Sequence, residues 1–233
     1  MKRRSFFTAC AAACAARAFP VHADAGLRPR LYRRALLVDA TDAPLRATSI
    51  AAQRNYIFHY PYSATPCFLL NLGNPVGGSA ALKTADAKSY DWPGGVGPQR
   101  AIVAYSAICA HKLAYPTKEI SFISYRAELT PHSKLSRVIH CCSEHSQYDP
   151  AAGGRVLAGP APQPLAAILL EHDTRRDELY ALGTLGGEMF NDFFAKYAIR
   201  LTMEHGADRV RREVGERVKV SELDSYCRQQ VKC

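Results

Sequence analysis

The chain has 233 residues, of which 48% are hydrophobic and 22% charged, enough for one ordinary domain with extensions and a true core. Its formal net charge of +9 includes Lys2, Arg3, Arg4 and Arg17 against Asp24 in the first 25 residues, so removal of that stretch would leave +6. A surplus of that size suits an acidic partner. It does not make a nucleic-acid binder, because the basic residues are scattered and no known binding motif accompanies them.

Residues 1–25 read as an export signal. Paired Arg3 and Arg4 precede Phe6 and Phe7, then an Ala/Cys run, then Ala23-Asp24-Ala25 as a small-residue cleavage site. The twin arginine predicts the Tat route, which carries folded proteins to the periplasm. The apolar run from Phe6 to Ala16 is too short to span a bilayer and is broken by Arg17, so no transmembrane helix is expected. An uncleaved signal would leave the chain membrane-associated. Cys10 and Cys14 fall inside this signal and receive no role.

Residues 27–34 form a basic lead-in, followed by a first strand at 35–39. Arg54–Tyr60 alternates enough for a second strand. Pro66–Leu72 makes a third, apolar on both faces and therefore expected between two layers. Residues 73–99 show no periodicity and read as a long irregular segment. In that segment Trp92, beside Pro93-Gly94, is expected to pack the loop down more readily than to serve as a docking aromatic. Ala101–Ile108 is a strong buried strand, Ile120–Tyr125 another, and Arg137–Cys141 a third. Ala166–Leu170 and Leu179–Leu182 form a closing hairpin. Short strands at close spacing predict an all-β sandwich or barrel. Beyond Gly186, Met189, Phe190, Phe193, Phe194, Tyr197 and Leu201 recur at spacings of three and four, predicting a helical extension over 186–233. Its expected place is on the sheet's own face; an arm gripping a partner subunit is the alternative.

The chemistry concentrates between Cys109 and His145. Cys109-Ala-His111 ends one strand and Cys142-Ser-Glu-His145 ends another, with 30 residues between the two pairs. Two thiolates and two imidazoles on separate loops can hold tetrahedral zinc or a [2Fe–2S] cluster with Cys₂ on one iron and His₂ on the other. Spacing alone leaves both open. Cys141 competes with Cys142, but only Cys142 gives the C-x-x-H spacing. His132 and His140 read as surface histidines. Among the remaining cysteines, Cys227 and Cys233 are close enough in sequence to close a small loop.

The flanks favour the cluster. After His145 come Ser146, Tyr148-Asp149, the Gly153-Gly154 turn and Gly159-Pro160-Ala161-Pro162 before a last strand. This set resembles the Rieske family. The resemblance implies a Rieske-type antiparallel β-sandwich or barrel over 26–185, its cluster-binding part at about 104–165, with Cys109, His111, Cys142 and His145 as ligands. It also implies redox tuning by the Tyr148 hydroxyl on a cysteine sulfur and by Ser146 on a bridging sulfide. Two departures stand out. The further cysteines that clamp the two loops in many members correspond here to Ala114 and Glu144, and the usual His-Gly-Ser reads His145-Ser146, one residue short. A narrower stretch, Phe58–Gly73 with Gly97–Ser106, resembles the small Rieske subunit of arsenite oxidase over about residues 35–170. That implies electron transfer to or from a larger, molybdopterin-dependent subunit or a c-type cytochrome, with substrate chemistry left to the partner. A quinol-oxidising subunit of a cytochrome bc complex and a zinc-binding structural protein are the alternatives; an oxygenase would need a large catalytic domain after the cluster.

Overall fold

The computed structural model describes residues 26–78, 80–130 and 133–233; the expected signal and His132 lie outside them. In chain order the strands are β1 (Arg30–Val38), β2 (Tyr56–His59), β3 (Pro66–Asn71), β4 (Ala80–Lys83), β5 (Ser89–Trp92), β6 (Ile102–Ser106), β7 (Ile120–Ser121), β8 (Ile123–Arg126), β9 (Val138–Cys141), β10 (Ser146–Asp149), β11 (Arg155–Ala158), β12 (Ala167–Asp173) and β13 (Glu178–Leu185). Two short helices follow, α1 (Phe190–Lys196) and α2 (Ala198–His205), then β14 (Arg217–Lys219), β15 (Ser221–Glu222), α3 (Leu223–Tyr226) and β16 (Gln229–Gln230).

The protein is mostly β, as its strand spacing implies. Eight strands form one large sheet in the order β14-β1-β13-β12-β6-β3-β2-β15, and four form a small antiparallel sheet in the order β11-β10-β9-β8. The centre of the large sheet is buried on both sides. On β3 and β6, Phe68, Leu70, Val103 and Tyr105 enter a core shared with Ile123, Tyr125, Ile139 and Tyr148 of the small sheet. Their neighbours Cys67, Leu69, Ile102 and Ala104 enter a second core with Ala35, Leu37, Tyr60 and Val218. The period of two along a strand sorts these side chains, and apolar residues on both faces of Pro66–Asn71 are the sequence trace of a strand between layers.

Several expectations are corrected. β1 starts at Arg30, inside the supposed lead-in, because Arg30 and Leu31 pair with Thr184 and Gly183 of β13. The segment taken as irregular contains the β4–β5 hairpin, in which Tyr90 and Trp92 are buried. Trp92 stands 6.1 Å from the Tyr105 ring, so it packs the hairpin onto the core. Ile120–Tyr125 is two strands, β7 and β8. The segment 186–233 is helical only in α1, α2 and α3: β14 joins the edge of the large sheet beside β1, β15 pairs with β2 at the other edge, and β16 pairs in parallel with β7.

The apolar stripe seen in the sequence is real. Phe190, Phe193, Phe194 and Leu201 pack with Ile108, Leu113 and Tyr115 of the first Cys/His loop into a third core. The Tyr115 ring meets Phe193 edge-on at 4.8 Å and Tyr197 at 5.0 Å. The tail therefore supports the site from below.

Candidate metal centre

The first loop leaves β6 at Ser106, whose hydroxyl accepts from the Ile108 N–H. Cys109 N–H then donates to Ala114 O at 2.9 Å and Leu113 N–H to Cys109 O at 3.0 Å, closing a tight turn around His111. The second loop is the hairpin connection 142–145 between β9 and β10, whose first register pair is Cys141 opposite Ser146. Cys142 N–H is held by Phe122 O at 2.6 Å. His145 has φ +59°, the left-handed region that glycine normally occupies.

Adjacent residues of a strand point to opposite faces. On β9, Ile139 and Cys141 face the core that contains Cys109 and Tyr148, while Cys142 turns away and is joined to Cys233 by a disulfide with an S–S distance of 2.12 Å. The structure thus brings Cys109 together with Cys141 rather than with Cys142. The two sulfurs share a hydrogen bond: the Cys141 S–H holds the Cys109 thiol below its ordinary pKa, and the same bond, with burial, pushes Cys141 up. The Tyr148 hydroxyl lies 3.2 Å from Cys109 Sγ and accepts the Ala110 N–H at 3.1 Å. Its ring is fully buried, and burial raises its own pKa, so this phenol stays protonated and donates to the sulfur.

His111 and His145 sit on the two loops as expected. His111 Nδ1 and Ser146 Oγ are buried and have no hydrogen-bond partner among the described residues. Orphaned polar atoms of this kind are costly unless a ligand takes them up. Paired buried sulfurs beside them fit the thiolate end and one imidazole of a [2Fe–2S] group. His140 is a correction, being fully buried rather than at the surface. Its ring lies 5.7 Å from that of His145, and ligand atoms of His140, His145 and Cys233 fall within 4.8 Å of one another. The expected Cys227–Cys233 loop does not form; Cys227 is a buried free thiol.

Strand parity accounts for this arrangement, since neighbouring residues of β9 face opposite ways, Cys141 inward and Cys142 outward.

Gly159 locks the second loop from the other side. Its φ is +86°, and a Cβ there would meet Ser146 Cα at 2.5 Å and His145 O at 2.6 Å. The Gly-Pro-Ala-Pro turn can approach the loop only because that position has no side chain.

No family model matches the chain. It is 28% identical over 187 residues to iodate reductase subunit IdrB of Denitromonas iodatirespirans, which covers 80% of this chain and 82% of that protein. Among solved structures, the soluble domain of Rieske protein II (soxF) from Sulfolobus acidocaldarius matches 66% of this chain and 78% of its own, at 28% identity and a TM-score of 0.43. The quaternary ammonium Rieske monooxygenase CntA matches 75% of this chain and 39% of its own, at 12% identity and a TM-score of 0.34. The similarity to IdrB, with cysteines and histidines carried on two loops at strand ends, supports a Rieske-type protein.

Proposed function

We propose that the chain is the electron-relay subunit of an exported oxidoreductase whose larger subunit acts on an oxyanion. The observation that carries this reading is the Cys109–Cys141 sulfur pair capped by the Tyr148 hydroxyl, with His111 and His145 on the same two loops. Cys109 and Cys141 would hold the inner iron of the cluster and His111 and His145 the outer one. When bound, that group supplies one-electron transfer and no substrate chemistry.

The chain's own residues set the conditions. Tyr148 donates to a cysteine sulfur, and Ser146 offers a second hydroxyl. Both would favour the electron-rich form, which supports a potential toward the upper part of the roughly −150 to +300 mV range of such centres. His145 is exposed, giving a route for electrons at the surface. The resemblance to the arsenite oxidase small subunit and the similarity to a subunit named for iodate reduction both support a partner working on an oxyanion of a heavier main-group element. Arg3 and Arg4 ahead of Phe6 support Tat export to the periplasm. Among the described residues no helix is long and apolar enough to cross a membrane.

The test is purification of the complex from native cells with the chain tagged. The reading predicts a periplasmic assembly with a molybdenum-containing large subunit, and cytoplasmic retention when Arg3 and Arg4 are both replaced by Lys. Co-purification with b-type haem and a quinol oxidase activity would move the chain to a cytochrome bc-type complex. A zinc-loaded, iron-free protein would refute electron transfer altogether.

A further inference from the structure

We propose that Cys233 is a positioning residue that clamps the second cluster loop through its disulfide to Cys142. This inference rests on the cluster reading above.

The bridge joins residues 91 apart in sequence, and both ends are anchored. On one side, Arg228 N–H donates to Lys118 O and Val231 N–H to Ser121 O, each at 2.9 Å, and the Arg126 guanidinium holds Val231 O. These contacts fix the segment after α3 alongside β7. On the other side, Cys142 opens the loop 142–145, directly after the sulfur that faces Cys109. The His140 ring reaches Cys233 Sγ at 3.5 Å from Nε2, which backs the bridge against β9.

Two consequences follow for the site. Cys142 is withdrawn from iron, so the adjacent pair Cys141-Cys142 is divided between two tasks: Cys141 faces inward and Cys142 anchors the loop. The loop is also tethered from outside, to the tail. Ala114 stands where the first loop would need a cysteine for a loop-to-loop bridge, so that bridge cannot form in this chain. Closing the clamp takes the Cys142 and Cys233 thiols to one disulfide by exchange with a protein disulfide. Two electrons and two protons pass to that oxidant, which leaves as its dithiol. A dithiol reductant reverses the step, and the cluster exchanges no electrons in either direction.

The experiment uses full-length protein purified without reductant. Alkylation and non-reducing peptide mapping should show one cross-linked peptide pair, containing Cys142 and Cys233. Release of iron to an excess chelator, followed by loss of visible absorbance, should be slow in the wild type and about tenfold faster after treatment with a phosphine reductant. Cys233→Ser and Cys142→Ser should carry the cluster with an unchanged EPR line shape, release iron fast from the start, and show no response to the reductant. Equal release rates before and after reduction would overturn the clamp, as would a map lacking the cross-link. A cluster present in Cys233→Ser but absent from Cys142→Ser would return Cys142 to the iron and overturn it too. Iron-free wild type, by contrast, would defeat the cluster reading itself, and the clamp with it.

Discussion

Replacing Tyr148 with Phe removes one hydroxyl from beneath the sulfur pair and leaves the rest of the ring in place. In the structure that hydroxyl donates to Cys109 Sγ at 3.2 Å and accepts the Ala110 N–H at 3.1 Å. A hydrogen bond to a charged acceptor contributes about 1.5–3 kcal/mol. The sulfur is anionic in both oxidation states of a bound cluster, so only part of this, about 0.5–1 kcal/mol, separates the reduced from the oxidised form. For a one-electron couple, 59 mV corresponds to a tenfold change in the equilibrium constant, so the potential should fall by about 20–45 mV. The direction follows from the donor: losing it destabilises the form richer in electrons. Stability should drop as well, by about 1–3 kcal/mol, because the buried Ala110 N–H loses its acceptor. Protein-film voltammetry on the wild type and the variant, with iron per chain measured on both, reads the shift directly. A fully loaded variant with an unchanged or higher potential would show that the Tyr148 hydroxyl does not address the sulfur.

Other perturbations test the surroundings. Gly159→Ala should lose its cluster and about 2–4 kcal/mol of stability, because a Cβ cannot coexist with Ser146 Cα and His145 O at this left-handed position; a normally loaded, normally stable variant would refute the close approach. Phe193→Ala empties a fully buried site under the first loop and should cost about 3–5 kcal/mol in denaturant unfolding; a cost near zero would mean that α1 is not core. His59 is held neutral, its pKa lowered to about 4, by burial first and then by His205 and Lys118. The unfolded chain therefore takes up the proton first, and stability should decline by about 2 kcal/mol as pH falls from about 6.5 toward 4. His59→Gln should flatten that slope in denaturation series across the window; an unaltered slope would place the titration elsewhere.

The fold was legible where the signal is local. Two-faced apolar patterning at Pro66–Asn71 and Ala101–Ser106 marked the central strands of the large sheet, and the loops carrying Cys109 and Cys141 both leave strand ends, as rigid presentation of a site requires. The β4–β5 hairpin leaves little trace in the sequence, because its alternation rests on little more than Tyr90 and Trp92 in a Gly/Pro-rich neighbourhood. The strands of the tail were missed for a different cause: β14, β15 and β16 are two or three residues long and exist only through pairing with distant partners. Motif spacing favours Cys142 over Cys141, whereas strand parity on β9 turns Cys141 toward Cys109. The Cys142–Cys233 bridge spans 91 residues, and no count of spacings selects it over a neighbouring pair such as Cys227 and Cys233. Polarity suggests an exposed His140, but its face of β9 is covered by Cys233.

The most direct test of the central claim is EPR of the dithionite-reduced, purified protein together with its iron content. Two irons per chain and a rhombic Rieske-type signal, present in the wild type and absent from Cys141→Ser, are what the sulfur pair at Cys109 and Cys141 predicts. An EPR-silent wild-type protein containing zinc in place of iron would contradict it.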